Sequence, residues 1–244
     1  MVEVIILAAD GKLRFNSLTR ATARCLLSIR GTPIIEHIIN KVQLIDEVAT
    51  ITIVGSRRFF KQLKGWIDNY SCRLPIELIA DDHNTRHHNT GAIKTLSGVI
   101  DRQNITNDVL LIGADNMFSF TLNDFIEFSR HIYPAPVVGL YNANGKLKPN
   151  KFGVATLGPD ARMIDFCEKP GTIDISQFVS TCLYFFPRQT LPAIKAYAES
   201  NGAVHLGDYI EWLCKKDHVY GYIFEGDWLD IADIESYTEA VFTF

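Results

Sequence analysis

Short aliphatic runs alternate with longer stretches of helical spacing through the first 130 residues. Residues 2–7 form an apolar run of strand length, residues 33–42 (PIIEHIINKV) carry apolar positions at helical spacing, and residues 49–54 read as a second strand. The rhythm continues with a helix over 57–70, with Phe60, Leu63, Trp66 and Ile67 on one face. A strand over 75–80, a helix over 91–100 and a buried strand over 108–112 follow. Strands separated by helices in this way are expected to lie parallel in an open sheet, because a parallel connection needs a crossover of helix length. From about residue 134 the pattern changes to paired strands, 152–157 and 163–167, joined by the turn Gly158-Pro159-Asp160-Ala161. A third strand over 179–185, helices over 188–199 and 208–215, a strand over 219–224 and a last helix over 233–241 complete the pattern. The expected fold is α/β: a Rossmann-like, mostly parallel sheet with helices on both faces and a smaller antiparallel section. One domain over 1–244 is expected, divided into an α/β part (1–133) and a second part (134–244), with 142–151, rich in Asn, Lys and Gly, as a loop.

Composition narrows what such a fold could do. The 244 residues are 47% apolar and 21% charged, enough to bury a sizeable core without staples. A net charge of −4 without a long Lys/Arg run argues against nucleic acid as a partner, since binding to a polyphosphate needs clustered cations. No apolar stretch approaches the roughly 20 residues of a membrane span, and residues 1–4 lead straight into a strand with no basic leader; a cytoplasmic protein is expected. Cys25, Cys72, Cys167, Cys182 and Cys214 are odd in number and show no C-x-x-C spacing, so reduced core thiols are expected.

In an open α/β sheet, ligands bind outside the carboxyl ends of the strands, so the segment leaving the first strand carries most information. It reads Leu7-Ala8-Ala9-Asp10-Gly11-Lys12-Leu13-Arg14 and continues FNSLTRATARCLLSIRGTPII. Because it lacks G-x-G-x-x-G, a nicotinamide-binding turn is excluded. From residue 5 to residue 39 it resembles, without a gap, the loop of the sugar-1-phosphate nucleotidyltransferases of the glucose-1-phosphate thymidylyltransferase type, L-A-A-G-x-G-T-R-L-x-P-L-T, then P-K, then L-L-P-I-x-G-x-P-I-I. Arg14 and the Leu26-Leu27…Gly31…Pro33 frame match. Asp10 and Lys12 stand where the family has glycines, and Ala23-Arg24 replace Pro-Lys. Later segments match in family order. Gly113-Ala114-Asp115-Asn116 resembles the strand ending in G-D-N, Phe152-Gly153-Val154 the F-G-V element and Glu168-Lys169-Pro170 the E-K-P element. Ser180-Thr181-Cys182-Leu183-Tyr184-Phe185 resembles S-T-G-I-Y-F with cysteine for glycine, and Trp228-Leu229-Asp230-Ile231-Ala232 resembles W-x-D-I-G.

The resemblance implies transfer of a nucleoside monophosphate from a nucleoside triphosphate to a sugar 1-phosphate, releasing pyrophosphate. It implies Mg²⁺ held by Asp115 and Asp230, hard carboxylate donors that suit this ion. Arg14 and Arg24 are the implied triphosphate cations, and Leu7, Ala8, Ala9, Asp10, Gly11, Lys12, Asn89 and Gly91 the implied nucleotide contacts. Gly153, Glu168, Lys169 and Thr181 would face the sugar phosphate, with Lys169 on its charge and Glu168 on its hydroxyls. Singly, Asp115 reads as a turn residue, Asp230 as a helix-entry carboxylate and Glu168-Lys169 as a surface turn; their order along the chain favours the family pattern. His83, His87 and His88 have no counterpart in it and read as part of a loop. Two alternatives stand beside catalysis: a relative that binds a sugar nucleotide without turnover, with Asp10 repelling phosphate, and a cytidylyltransferase acting on an alcohol phosphate. The apolar ending Val241-Phe242-Thr243-Phe244 fits an oligomer interface or a docked terminal helix equally.

Overall fold

The computed structural model of the chain describes residues 1–8, 22–81, 91–142, 150–171, 178–200 and 205–244. Strand β1 (Val2–Ala8) is the spine of the main sheet, flanked by β4 (Val48–Ser56) and β6 (Asp108–Gly113), with β5 (Ile76–Asp81) beyond β4, all mutually parallel. Between them run the small hairpin β2 (Ser28–Ile29) and β3 (Thr32–Pro33), and helices α1 (Ile34–Val42), α2 (Phe60–Ile67) and α3 (Ala92–Arg102). A three-residue strand, β7 (Asn116–Phe118), and helix α4 (Asn123–His131) follow β6.

The antiparallel section is a continuation of the same sheet. Strand β11 (Phe178–Phe186) lies antiparallel to β6, and on its other side pairs with β8 (Val137–Asn142) and β9 (Val154–Leu157); β9 in turn pairs with β10 (Met163–Cys167). Helices α5 (Leu191–Ser200) and α6 (Leu206–Cys214), strands β12 (Tyr220–Phe224) and β13 (Trp228–Asp230), and helix α7 (Ile234–Thr243) end the described chain. β12 joins β8 in parallel, and β13 pairs antiparallel with β7 as a separate small sheet. The main sheet therefore has nine strands, in the order β10-β9-β11-β6-β1-β4-β5 with β8 and β12 branching from β11.

Alternation along the strands explains the layers. Val4 and Ile6 of β1, with Leu110 and Ile112 of β6, face one core with α1, α2, α4 and α7; Ile5, Val109 and Leu111 face a second core with α3, α5 and α6. Strands buried on both sides read as unbroken apolar runs. Helix α7 is tied down by Arg30, whose guanidinium donates to the carbonyls of Val241 and Phe244 at 3.0 Å and of Phe242 at 2.9 Å, while Tyr237 donates to the Ser28 carbonyl at 2.7 Å. Within the chain the 241–244 segment is docked through these carbonyls, while Phe242 itself is exposed. All five cysteines are free thiols, but they are not all in the core: Cys25 is buried, Cys72, Cys182 and Cys214 are partly buried, and Cys167, on the outer face of β10, is exposed. Among the described residues no helix is long and apolar enough to cross a membrane.

Candidate functional site

The chain leaves β1 for β4 on one side and returns to β6 on the other. This is a topological switch point, where the carboxyl ends of neighbouring strands open a crevice. Leu7 pairs in register with Gly113, and the Ala114 amide donates to the Leu7 carbonyl at 3.0 Å, so the first strand and the G-A-D-N turn share one edge. Leu7 and Ala8 end β1 here. Ala9, Asp10, Gly11, Lys12 and Arg14 lie outside the described residues, as do Asn89 and the His83, His87 and His88 cluster. Gly91 is described: it precedes α3 with φ +85°, a conformation that favours glycine, and the following Ala92 lines the crevice.

Asp115 and Asp230 reach this crevice from residues more than a hundred positions apart. β7 and β13 bring them together, with Asp230 opposite Asn116 in register and the Ile231 amide donating to the Asp115 carbonyl at 2.8 Å. Asn116 locks the turn: its amide donates to the Gly113 carbonyl at 3.0 Å and its side-chain oxygen accepts from the Trp228 indole at 2.7 Å. Among the described residues a cation stands against each carboxylate. Arg24, on a short 3₁₀ turn (Arg24–Leu26), is 2.9 Å from Asp115 Oδ2, and Lys151 Nζ is 3.4 Å from Asp230 Oδ2. Burial and the neighbouring Asp115 carboxylate nevertheless push the Asp230 carboxyl up to about 6, against the lowering effect of Lys151 and Arg24. Arg24 is thus in the site, engaged with Asp115. Lys151 is a site residue that the motif reading passed over, though it stands directly before Phe152-Gly153.

The second group lies across the same cleft, which holds about 380 Å³. Lys169 sits in a left-handed conformation, φ +49°, and its amide donates to the Phe152 carbonyl at 3.1 Å. Its ammonium is 3.2 Å from Glu168 Oε1 and 3.1 Å from His205 Nδ1. Burial raises the Glu168 pKa, partly offset by Lys169. Two glycines make room for this carboxylate. A Cβ on Gly153 would run into the Phe166 ring and stand 2.9 Å from Glu168 Oε2, and a Cβ on Gly207, in the first turn of α6, would overlap the Glu168 carboxyl itself. Gly153 therefore reflects close approach rather than a bulge. Thr181 also lines the cleft, but it is fully buried and its hydroxyl donates to the Gly139 carbonyl at 2.9 Å. Next to it Cys182 has φ +59° where the β8–β11 register shifts, which explains the glycine of the family pattern. His205 was not singled out by sequence; no motif marks it, and only the fold of α6 against β10 brings it to Lys169.

Among the described residues no three His, Cys, Asp or Glu side chains gather as a metal cage. What the site offers a cation is the Asp115–Asp230 pair.

Known proteins resemble the chain along most of its length. A family model described as nucleotidyl transferase matches residues 3–243. Two relatives named bifunctional protein GlmU, from Methanococcus maripaludis strain S2 and Methanocaldococcus jannaschii, are each 26% identical over 95% of the chain. The match covers 51% of each relative, so the chain spans about half the length of these curated relatives. Among solved structures, one reported as a glucose-1-phosphate thymidylyltransferase from Bacillus anthracis, in complex with a sucrose, superposes with a TM-score of 0.84 at 21% identity, covering 99% of this chain and 94% of that one. A UDP-glucose pyrophosphorylase complexed with UDP-glucose superposes with a TM-score of 0.81 at 17% identity, covering 98% and 96%. At these identities the structures speak for a shared fold.

Proposed function

Because the chain belongs to the nucleotidyl transferase family, we propose that it transfers a nucleoside monophosphate from a nucleoside triphosphate to a sugar 1-phosphate, giving a nucleoside-diphosphate sugar and pyrophosphate. The observation that carries this reading is the placement of two chemically different groups in one cleft: the Asp115–Asp230 carboxylates with their cations at one end, and Glu168, Lys169 and the glycines around them at the other. An oxygen of the acceptor phosphate attacks the α-phosphorus, the bond from that phosphorus to the bridging oxygen breaks, and pyrophosphate carries away the electron pair. Such transfers rest on positioning and charge neutralisation, with no covalent nucleophile required.

Lys169 supplies positive charge for the acceptor phosphate, and Glu168, held between Gly153 and Gly207, accepts from acceptor hydroxyls. Arg24 and Lys151 neutralise charge at the triphosphate end, and Gly91 with Ala92 borders the nucleotide side. The donor set suits Mg²⁺: two neighbouring carboxylates, one of them, Asp230, raised by burial and by the other, offer hard oxygens to a dication whose remaining positions waters and phosphate oxygens would fill. Asp115 and Asp230 would hold that ion, which offsets phosphate charge when bound.

The test is a pyrophosphate-release screen of the common nucleoside triphosphates against hexose 1-phosphates, with inositol 1-phosphate as the alcohol-phosphate control, in Mg²⁺. Turnover with a triphosphate and a sugar 1-phosphate is expected. Turnover with the alcohol phosphate alone, or none with any pair, overturns the reading.

A further inference from the structure

Two buried hydroxyls at the acceptor end have more protons than partners. Ser180, 8% exposed, and Tyr184, 4% exposed, line the cleft from β11, and their oxygens stand 3.0 Å apart. In a regular strand residues four apart lie about 13 Å from each other, too far for such a pair. Here four steps along β11 run against two along β8, with the left-handed Cys182 inside the shift, and the shortened strand lets the hydroxyls meet. Each hydroxyl carries one proton and can also accept. One of the two protons closes the mutual bond, and the other meets no acceptor among the described residues. Thr181 between them differs, because its hydroxyl is spent on the Gly139 carbonyl. Buried polar groups are as a rule satisfied, so a spare proton in a pair that lines a cleft marks a place that a ligand completes.

We infer that Ser180 is a specificity-determining residue: its spare proton, set by the bond from Tyr184, is donated to one hydroxyl oxygen of the acceptor sugar, so that an acceptor lacking that hydroxyl is disfavoured. The inference rests on the reading of this end as the acceptor end and names what that end selects. The direction of the mutual bond follows from the two chemistries. A phenol donates more strongly and accepts more weakly than an aliphatic alcohol, so Tyr184 donates to Ser180 and Ser180 keeps the spare proton. Ser180 also joins the acceptor elements through its backbone. Its amide donates to the Gly153 carbonyl at 2.9 Å, and a Cβ on Gly153 would stand 2.9 Å from Glu168 Oε2. A sugar hydroxyl suits this surrounding, because its oxygen accepts from Ser180 while its own proton remains for the carboxylate. A deoxy acceptor offers no oxygen there and leaves a buried donor unmet, which is how a site built around a hydroxyl rejects the analogue without it.

The experiment measures binding of glucose 1-phosphate and its 2-, 3-, 4- and 6-deoxy analogues by calorimetry at pH 7.5. The proteins are wild type, Ser180→Ala, Tyr184→Phe and Lys169→Ala. Ser180→Ala is expected to bind glucose 1-phosphate about five-fold more weakly than wild type, the loss of one neutral hydrogen bond. It is expected to shrink the deoxy penalty by about five-fold at one carbon position and to leave the other positions within about two-fold of wild type. Tyr184→Phe removes a hydroxyl and keeps the ring, and it should shift that same position by about two-fold, since Ser180 retains its proton but loses the bond that sets it. Lys169→Ala should weaken all the ligands alike, because its contact is with the phosphate they share. If Ser180→Ala leaves every deoxy penalty unchanged or lowers all of them together, or if Tyr184→Phe moves a different position or none, the inference is overturned, with the role of Lys169 intact as long as Lys169→Ala loses binding. If wild type binds none of these ligands, or Lys169→Ala binds like wild type, the acceptor-phosphate reading falls and this inference with it.

Discussion

The two ends of the cleft are built in opposite ways. At the Asp115–Asp230 end, four charged side chains arrive from four distant stretches of chain and are paired cation to anion, Arg24 with Asp115 and Lys151 with Asp230. At the Lys169 end, adjacent residues of one dipeptide supply both charges, and the surroundings adapt to them: a left-handed backbone at Lys169, and glycines at 153 and 207 where a Cβ would strike Glu168. The first arrangement concentrates negative charge and holds it in check; the second clears space around a single ion pair. Burial, together with the neighbouring Asp115 carboxylate, raises the Asp230 carboxyl despite Lys151 and Arg24. A cleared space fixes shape. On the proposed function, the first end handles charge and the second fits the acceptor.

The largest expected effect separates them directly. Asp115→Asn and Asp230→Asn should each lower kcat by about 10²–10³-fold in the pyrophosphate-release assay, the range for removing one preorganised electrostatic partner of a transition state. A loss below ten-fold for both would break the assignment of charge handling to this end. Next, Lys169→Ala should raise the acceptor KM by about 10–100-fold while leaving the triphosphate KM within about three-fold, since a charge-assisted contact to only one substrate is removed. Equal increases for both substrates would erase the division of labour.

A third test sharpens the contrast through stability. Asp230 has its carboxyl raised to about 6 in the folded chain, above the ordinary 3.8, so the folded state holds this proton more tightly than the unfolded chain between those values. Stability contributed by this group is therefore present at low pH, lost as pH rises through about 4 to 6, and absent at neutrality. Asp230→Asn should unfold at higher denaturant than wild type at pH 7.5 in the presence of chelator, by about 1–3 kcal/mol, and gain little at pH 4. A gain of the same size at both pH values would place its origin outside the charge pair. The smallest effect is expected at Cys182. Its left-handed φ disfavours any residue with a Cβ, so Cys182→Gly should raise stability by about 0.5–1 kcal/mol, a Tm increase of about 2 °C for a chain of this size. A drop in Tm would mean that the thiol's packing against Gly113 outweighs the backbone strain.

Much of the sheet was readable from its strands: 108–112, buried throughout, was expected and Asp108–Gly113 is found, and 163–167, buried at Met163 and Phe166, was expected and Met163–Cys167 is found. The helix over 57–70 shrinks to Phe60–Ile67, because residues 57–59 form a turn, and the strand expected at 152 begins at Val154, because Phe152 and Gly153 are held against Lys169 and Ser180. Helix Asn123–His131 was not among the expected elements, although Phe125, Ile126 and Ser129 bury one face of it. Asp230 was expected after the strand at 219–224, yet it ends a three-residue strand that exists only through its pairing with β7. Local periodicity cannot show a contact between residues 116 and 230. The candidate site was legible where ordered motifs fixed residue types, as at Asp115, Glu168, Lys169 and Asp230. The residues without a motif of their own, Lys151 and His205, emerged only from spatial neighbours.

The β7–β13 pairing has a consequence for how this protein is made. A ribosome that has passed residue 118 has supplied the strand carrying Asn116, but not the strand that covers it, and 110 further residues must follow before Trp228 can take its place. Over that interval the nascent chain displays an unpaired strand edge beside Asp115, a surface open to other strands. Chains stopped in this window would be expected to bind chaperones or aggregate, and none of them could hold both carboxylates, since Asp230 is the last residue of the pair to be added.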